Sequence, residues 1–259
     1  MIRKGEYENG FIYGYVIDES LCDGLIDFYN SYPEGLHFNQ EKPINNVVKT
    51  PGATQAGSDT NGIKLSTDVC IGPHNENPAV QKYLKEGLKP VVNAYREKFP
   101  EPWEACPIGF CPPEKMPDSQ ARVEKGWYDG EFKTGTFMNI QHYKPSEGYF
   151  AWHCERSYPS AQTVDRILVF MTYLNDVEDG GTNFQYQKIT TPAKKGLTLV
   201  WPVDWTHTHQ GQISHTTEKY IITGWLQYVR GLFPKSNTCL LYTSPSPRDR
   251  TRSRMPSSA

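Results

Sequence analysis

The 259-residue chain predicts a mainly β fold with flanking helices, its core a barrel or jelly roll. Three observations point there. The run from Arg166 to Leu174 (RILVFMTYL) is apolar on both faces, as in a strand buried between two layers. Shorter strand-like runs, Thr136 to Tyr143, Gly196 to Trp201 and Lys219 to Leu226, surround it with glycine and proline between them, and Asp179-Gly180-Gly181 reads as a turn. The 16 tyrosines and 6 tryptophans favour pleated sheet and an aromatic-lined cleft.

The elements before the core follow from local signals. Phe11 to Ile17 is apolar and aromatic and predicts a strand. Ser20 is placed to cap a short helix reaching about Tyr29, with Leu21, Leu25 and Phe28 on one stripe. Residues 33–76, rich in Gly, Pro, Asn and Thr, predict long loops with short strands. Asn77-Pro78 opens the clearest helix, with proline tolerated at its first position. Val80, Leu84, Val91 and Tyr95 give it an apolar face, and Pro90 should kink or split it. From 99 to 133 a proline-rich connection carries Trp103, Phe110, Trp127 and Tyr128, either sealing the barrel's edge or forming a rim over a substrate. The chain therefore divides into 1–135, helices, strands and loops packed on the core; 136–230, the core; and a tail over 234–259. The tail is too poor in apolar residues to offset its ordering entropy, and it looks like translated cloning or library-adapter sequence.

Composition excludes several classes of function. A net charge of −2 supplies no global field for nucleic acid or an anionic membrane. No stretch is long enough to span a bilayer, and the first residues lack the apolar run of a signal peptide. Cys22, Cys70, Cys106, Cys111, Cys154 and Cys239 show no metal-binding or disulfide spacing, so reduced thiols and a cytoplasmic location are expected.

The chemistry concentrates between Tyr143 and Trp225. On an extended segment side chains alternate, so His153 and Glu155 project to one side, with Cys154 opposite as a small packed side chain. With a distant histidine they form a two-histidine, one-carboxylate set that leaves coordination positions vacant, which suits non-haem Fe(II). His207, His209 and His215 are all candidates for the third place, and parity does not separate them. Lys219 on a strand is costly to bury without an anion. Ile221, Thr223 and Trp225 share its face.

Taken in order, Gln141-His142-Tyr143, Trp152-His153-Cys154-Glu155, Arg166, Tyr173-Leu174-Asn175-Asp176, Gly180-Gly181-Thr182-Asn183-Phe184, Lys195-Gly196, Trp201-Pro202, His209, Lys219-Tyr220 and Trp225 resemble the core of the prolyl-4-hydroxylase-like Fe(II)/2-oxoglutarate dioxygenases. The resemblance covers residues 136 to 229. It implies a double-stranded β-helix, of the jelly-roll or cupin-like kind. It also implies decarboxylation of 2-oxoglutarate to succinate and CO2 coupled to hydroxylation of a C–H bond, with ascorbate as a reductant. The family places a basic residue about ten positions after its second histidine. That spacing selects His209, ten before Lys219, with His207 as runner-up. The implied roles are then His153, Glu155 and His209 on the metal and Lys219 on the distal carboxylate of 2-oxoglutarate. Tyr143 and Tyr173 contact the cosubstrate, Thr223 and Trp225 line its pocket, and Arg166 and Asp176 are structural. Glu155 departs from the family's usual aspartate by one methylene. The implied partners are 2-oxoglutarate, O2 and a primary substrate, peptidyl proline or a small molecule, that the sequence does not specify. The rival expectation is a cupin-like module that binds a ligand without turnover; a zinc hydrolase would leave Lys219 and the two tyrosines without roles.

Overall fold

A computed structural model describes residues 4–32, 49–51, 62–71, 75–105, 108–109, 138–156, 163 and 166–228. The strands are β1 (Tyr7–Asn9), β2 (Ile12–Val16), β3 (Lys49–Pro51), β4 (Lys64–Leu65), β5 (Thr67–Ile71), β6 (Ile108–Gly109), β7 (Met138–Tyr143), β8 (Gly148–Tyr149), β9 (Arg166–Tyr173), β10 (Val177–Phe184), β11 (Ile189–Ala193), β12 (Leu197–Pro202), β13 (His209–Gly211) and β14 (Lys219–Tyr228). The helices are α1 (Glu19–Asn30), α2 (Pro78–Lys82), α3 (Lys89–Lys98) and α4 (Glu101–Ala105), with a π-helical segment, Tyr83–Leu88, joining α2 to α3. The expectations for residues 33–48, for Phe110, Trp127 and Tyr128, and for the tail fall outside the described residues.

The strands pair antiparallel in two facing layers and a short ribbon. The major sheet runs β1-β2-β12-β9-β14-β7-β5-β3, with β6 also paired to β14; the minor sheet is β11-β10-β13, and β4 pairs with β8. This is the double-stranded β-helix core with its flanking helices. Alternation divides the strands between two cores. Ile222, Phe170, Val200, Ile140 and Val69 point to the helices and pack with Leu21, Leu25, Tyr83, Leu88 and Tyr95. Ile221, Met171, Leu199, Trp201 and Tyr173 point inward and meet Val177, Phe184 and Ala193 of the minor sheet. A strand sandwiched in this way must be apolar on both faces, which is why β9 reads as an unbroken hydrophobic run.

Gly180 and Gly181 are not a turn. They lie inside β10, where the register with β11 shifts between Val177 and Thr182. A Cβ on Gly181 would sit 2.0 Å from the Thr191 carbonyl oxygen, and one on Gly180 would sit 2.5 Å from Val177 Cγ1. The glycine pair thus permits a close approach at a bulge, a signal that sequence shares with turns.

Helix α1 is capped by Asp18 rather than Ser20: the Asp18 carboxylate accepts the Ser20 backbone N–H at 2.9 Å. Ser20 lies inside the first turn, where its own N–H has no partner within the helix and is met by the cap. Asn77 caps α2 as its sequence suggested, accepting from Ala79 N at 2.9 Å. The expected break takes the form of the widened turn at Tyr83–Leu88. In a regular helix the Pro90 ring would meet the Glu86 carbonyl, and the wider turn lies at that point. Tyr83 is fully buried there and joins Thr172 Oγ1 (2.8 Å), which in turn meets Thr198 Oγ1 (2.7 Å), so helix and sheet are tied by hydroxyls. Trp103 packs against this layer, its ring 6.1 Å from Tyr95. Among the described residues no helix is long and apolar enough to cross a membrane.

Candidate metal centre

His153, Glu155 and His209 meet beside the inner face of the major sheet. One ligand atom from each lies within 4.8 Å of the others. Backbone pairing brings them together. His153 N–H donates to the His209 carbonyl (3.0 Å) and His209 N–H to that of His153 (2.8 Å), an isolated antiparallel bridge. Glu155 is then fixed by its own N–H, which donates to the Val203 carbonyl at 3.0 Å. The chain is extended only locally at His153 and turns at Glu155, yet the two side chains converge as alternation predicts.

The ring nitrogens are sorted by their neighbours. His153 Nδ1 lies 3.1 Å from the Ala151 carbonyl and His209 Nδ1 lies 2.9 Å from that of His207. A carbonyl only accepts, so each Nδ1 carries the proton and each Nε2 turns a lone pair inward. Glu155 Oε1 sits 3.6 Å from both Nε2 atoms. Glu155 Oε2 accepts the Trp225 indole N–H at 2.9 Å and lies 3.7 Å from Arg166 Nη1. Burial by itself would raise the Glu155 carboxyl, but the His153 and His209 rings beside it hold it well below the usual carboxylate range. Burial, helped by His153, lowers the His209 imidazole despite Glu155 beside it. An ionised carboxylate and a neutral imidazole are the forms that ligate a metal. Both the chemistry of the donors and their inward geometry therefore fit a divalent iron.

Aromatic rings wall the cluster. Tyr149 stacks on His153 with centroids 3.8 Å apart, while Phe184 and Trp201 stand 5.6 and 5.4 Å from His209. Tyr149 reaches this place through the β4–β8 ribbon, in which it faces Lys64. Lys64 is itself buried and paired with Asp68 at 2.6 Å. The competing histidines lie elsewhere. His207 is buried against Phe11, its Nδ1 3.0 Å from Thr206 Oγ1, and burial, then His209, pushes it down to about 4. His215 Nδ1 faces Ser146 Oγ at 3.0 Å.

Lys219 opens β14, only 5% exposed, with Nζ donating to the carbonyls of Gly180 (3.1 Å) and Gln212 (2.8 Å). Burial lowers it to about 8 although Asp179 acts the other way. Tyr143 is its cross-strand partner, with the ammonium 5.3 Å from the ring centroid, and the Tyr143 hydroxyl donates to Gln141 Oε1 at 2.6 Å. Tyr173 Oη meets Thr182 Oγ1 and Thr191 Oγ1 at 2.7 and 2.8 Å, and Thr223 Oγ1 donates to the Phe170 carbonyl at 3.0 Å. Asp176 Oδ1 accepts from Lys195 N–H at 2.9 Å. Sequence spacing thus picked out three side chains that the fold brings together and a lysine that it buries. It gave no sign of Tyr149 beside His153, or of Arg166 beside Glu155, because both reach the cluster through space.

Residues 138–227 match the profile of the 2OG-Fe(II) oxygenase superfamily. Among solved structures, a prolyl-4-hydroxylase from Pseudomonas putida aligns over 86% of this chain and 93% of its own, with 13% identity and a TM-score of 0.52. A prolyl hydroxylase from Trichoplax adhaerens, in complex with a hypoxia inducible factor oxygen degradation domain peptide fragment, aligns over 87% and 84%, with 15% identity and a TM-score of 0.53. These likenesses establish the fold. No curated protein matches the chain in sequence.

Proposed function

We propose, starting from the match of residues 138–227 to the 2OG-Fe(II) oxygenase superfamily, that His153, Glu155 and His209 hold the iron of a 2-oxoglutarate-dependent dioxygenase that hydroxylates a C–H bond. The observation that carries this assignment is the convergence of the three ligand atoms within 4.8 Å, with both Nε2 lone pairs facing Glu155 Oε1. Ferrous iron bound with 2-oxoglutarate supplies activation of O2 and oxidation of the substrate C–H bond, with release of succinate and CO2. The chain's own residues do the rest. The two imidazoles and one carboxylate keep the centre near a single positive charge. Lys219 pairs with the distal carboxylate of 2-oxoglutarate, exchanging two carbonyl acceptors for an anion. Tyr143 and Tyr173 flank that cosubstrate, with Thr223 further along the wall. Tyr149, Phe184 and Trp201 keep water from the ligands.

Ascorbate is the expected reductant for iron oxidised in unproductive cycles. A cytoplasmic setting accords with the free thiols of Cys22, Cys70 and Cys154. The first substrate class to try is a prolyl residue in a peptide, since both fold neighbours are named as prolyl hydroxylases; free amino acids and small metabolites follow. Anaerobic addition of Fe(II) and then 2-oxoglutarate should produce a metal-to-ligand charge-transfer band, and succinate release should rise with the right substrate. A protein that binds small ligands but gives no such band would be a binding module instead.

A further inference from the structure

Glu155 has one more rotatable bond than the aspartate usual at this place, so its carboxylate needs restraint if it is to present one oxygen. The restraint is visible on the side away from the histidines. Trp225, on the inward face of β14, donates its indole N–H to Glu155 Oε2 at 2.9 Å. The Arg166 guanidinium lies over that indole, 3.6 Å from the ring centroid. Its Nη1 stands 3.7 Å from the same Oε2 and donates to the Glu155 carbonyl at 3.2 Å. Arg166 is anchored in turn, since its carbonyl accepts from Arg156, whose other nitrogen pairs with Asp204 Oδ1 at 3.0 Å. Oε2 is thus engaged by one hydrogen bond and one ion pair, while Oε1 faces the imidazoles.

Resting on the dioxygenase reading above, we propose that Trp225 and Arg166 are positioning residues that hold Glu155 Oε2 aside, so that this longer carboxylate offers a single oxygen to the metal. Trp225 then acts on the metal centre rather than on the cosubstrate. Arg166, placed by sequence among the structural residues, governs how the ligand is presented.

Co(II) titration of the metal-free protein tests this without turnover, because its d–d absorption reports coordination geometry. Trp225→Phe keeps the ring and deletes the donor. It should weaken Co(II) binding about tenfold or more and change the d–d spectrum. Arg166→Met should act in the same direction more weakly. In a Glu155→Ala background Trp225→Phe should add nothing. A further loss of similar size there would mark the tryptophan as general support and overturn the proposal. Wild-type affinity and spectrum in Trp225→Phe would also overturn it, with the metal centre left standing. Failure of the wild type to bind Co(II) would remove the metal centre itself and the positioning role with it. If Trp225→Phe does not fold, Arg166→Met decides, and an unchanged dissociation constant counts against the proposal.

Discussion

At His153 and His209 backbone carbonyls fix the proton on Nδ1, so the reactive edge of each ring is set before any ligand arrives. Replacing either by alanine should lower substrate-dependent succinate release by on the order of a hundredfold or more, and near-normal turnover in His153→Ala would remove it from the ligand set. His207→Ala, by contrast, should keep metal binding, because its ring packs against Phe11 outside the cluster. Lys219 predicts a pH dependence. Its ammonium is lost near pH 8 in the unliganded protein, and in the function proposed above it is the charged form that would pair with 2-oxoglutarate. Above that pH binding must take up a proton, so the affinity for 2-oxoglutarate should fall by about tenfold per pH unit. Arginine stays charged throughout, so Lys219→Arg should flatten the dependence, as the KM for 2-oxoglutarate measured from pH 7 to 9.5 would reveal. Lys219→Ala should raise that KM by about ten- to a hundredfold, the loss of one charge-assisted hydrogen bond.

At the scale of elements, what was legible in sequence was whatever local pattern controls. Strand β14 presents Lys219, Ile221, Thr223 and Trp225 to one side because alternation leaves no other choice, and the bridge at His153 obeys the same rule. Less legible were features set by contact between distant segments. Gly180-Gly181 has the composition of a turn, and only the Thr191 carbonyl packed against it makes it a bulge. Asp18 and Ser20 are both good caps, and the choice depends on where the chain leaves β2. Tyr149 reaches His153 only because β8 is held by β4, some eighty residues earlier in the chain. Two alanine substitutions should part in sign. Gly181→Ala forces a methyl onto a backbone oxygen and should destabilise by about 1–3 kcal/mol. Gly24→Ala, inside α1 with Ala79 Cβ at an ordinary 3.5 Å, should stabilise by up to about 1 kcal/mol. Urea melts of the two variants would settle both.

For the molecule as a whole, ligand binding and folding are coupled. Under anaerobic conditions Fe(II) and 2-oxoglutarate at about a hundred times their dissociation constants should each add about 2.7 kcal/mol to stability. In a calorimetric melt the transition temperature should therefore climb stepwise, and Lys219→Ala should keep the metal step while losing most of the second. The reciprocal amide bonds between His153 and His209 give the protein a further property. Two of its three donors are joined by main chain, independent of any ion, so emptying the centre need not loosen the barrel around it. Uptake should then follow simple second-order kinetics, without a slow refolding phase. The amide protons of these two residues should stay protected from exchange with deuterated solvent after a chelator strips the protein, and exchange more slowly still when the metal is bound.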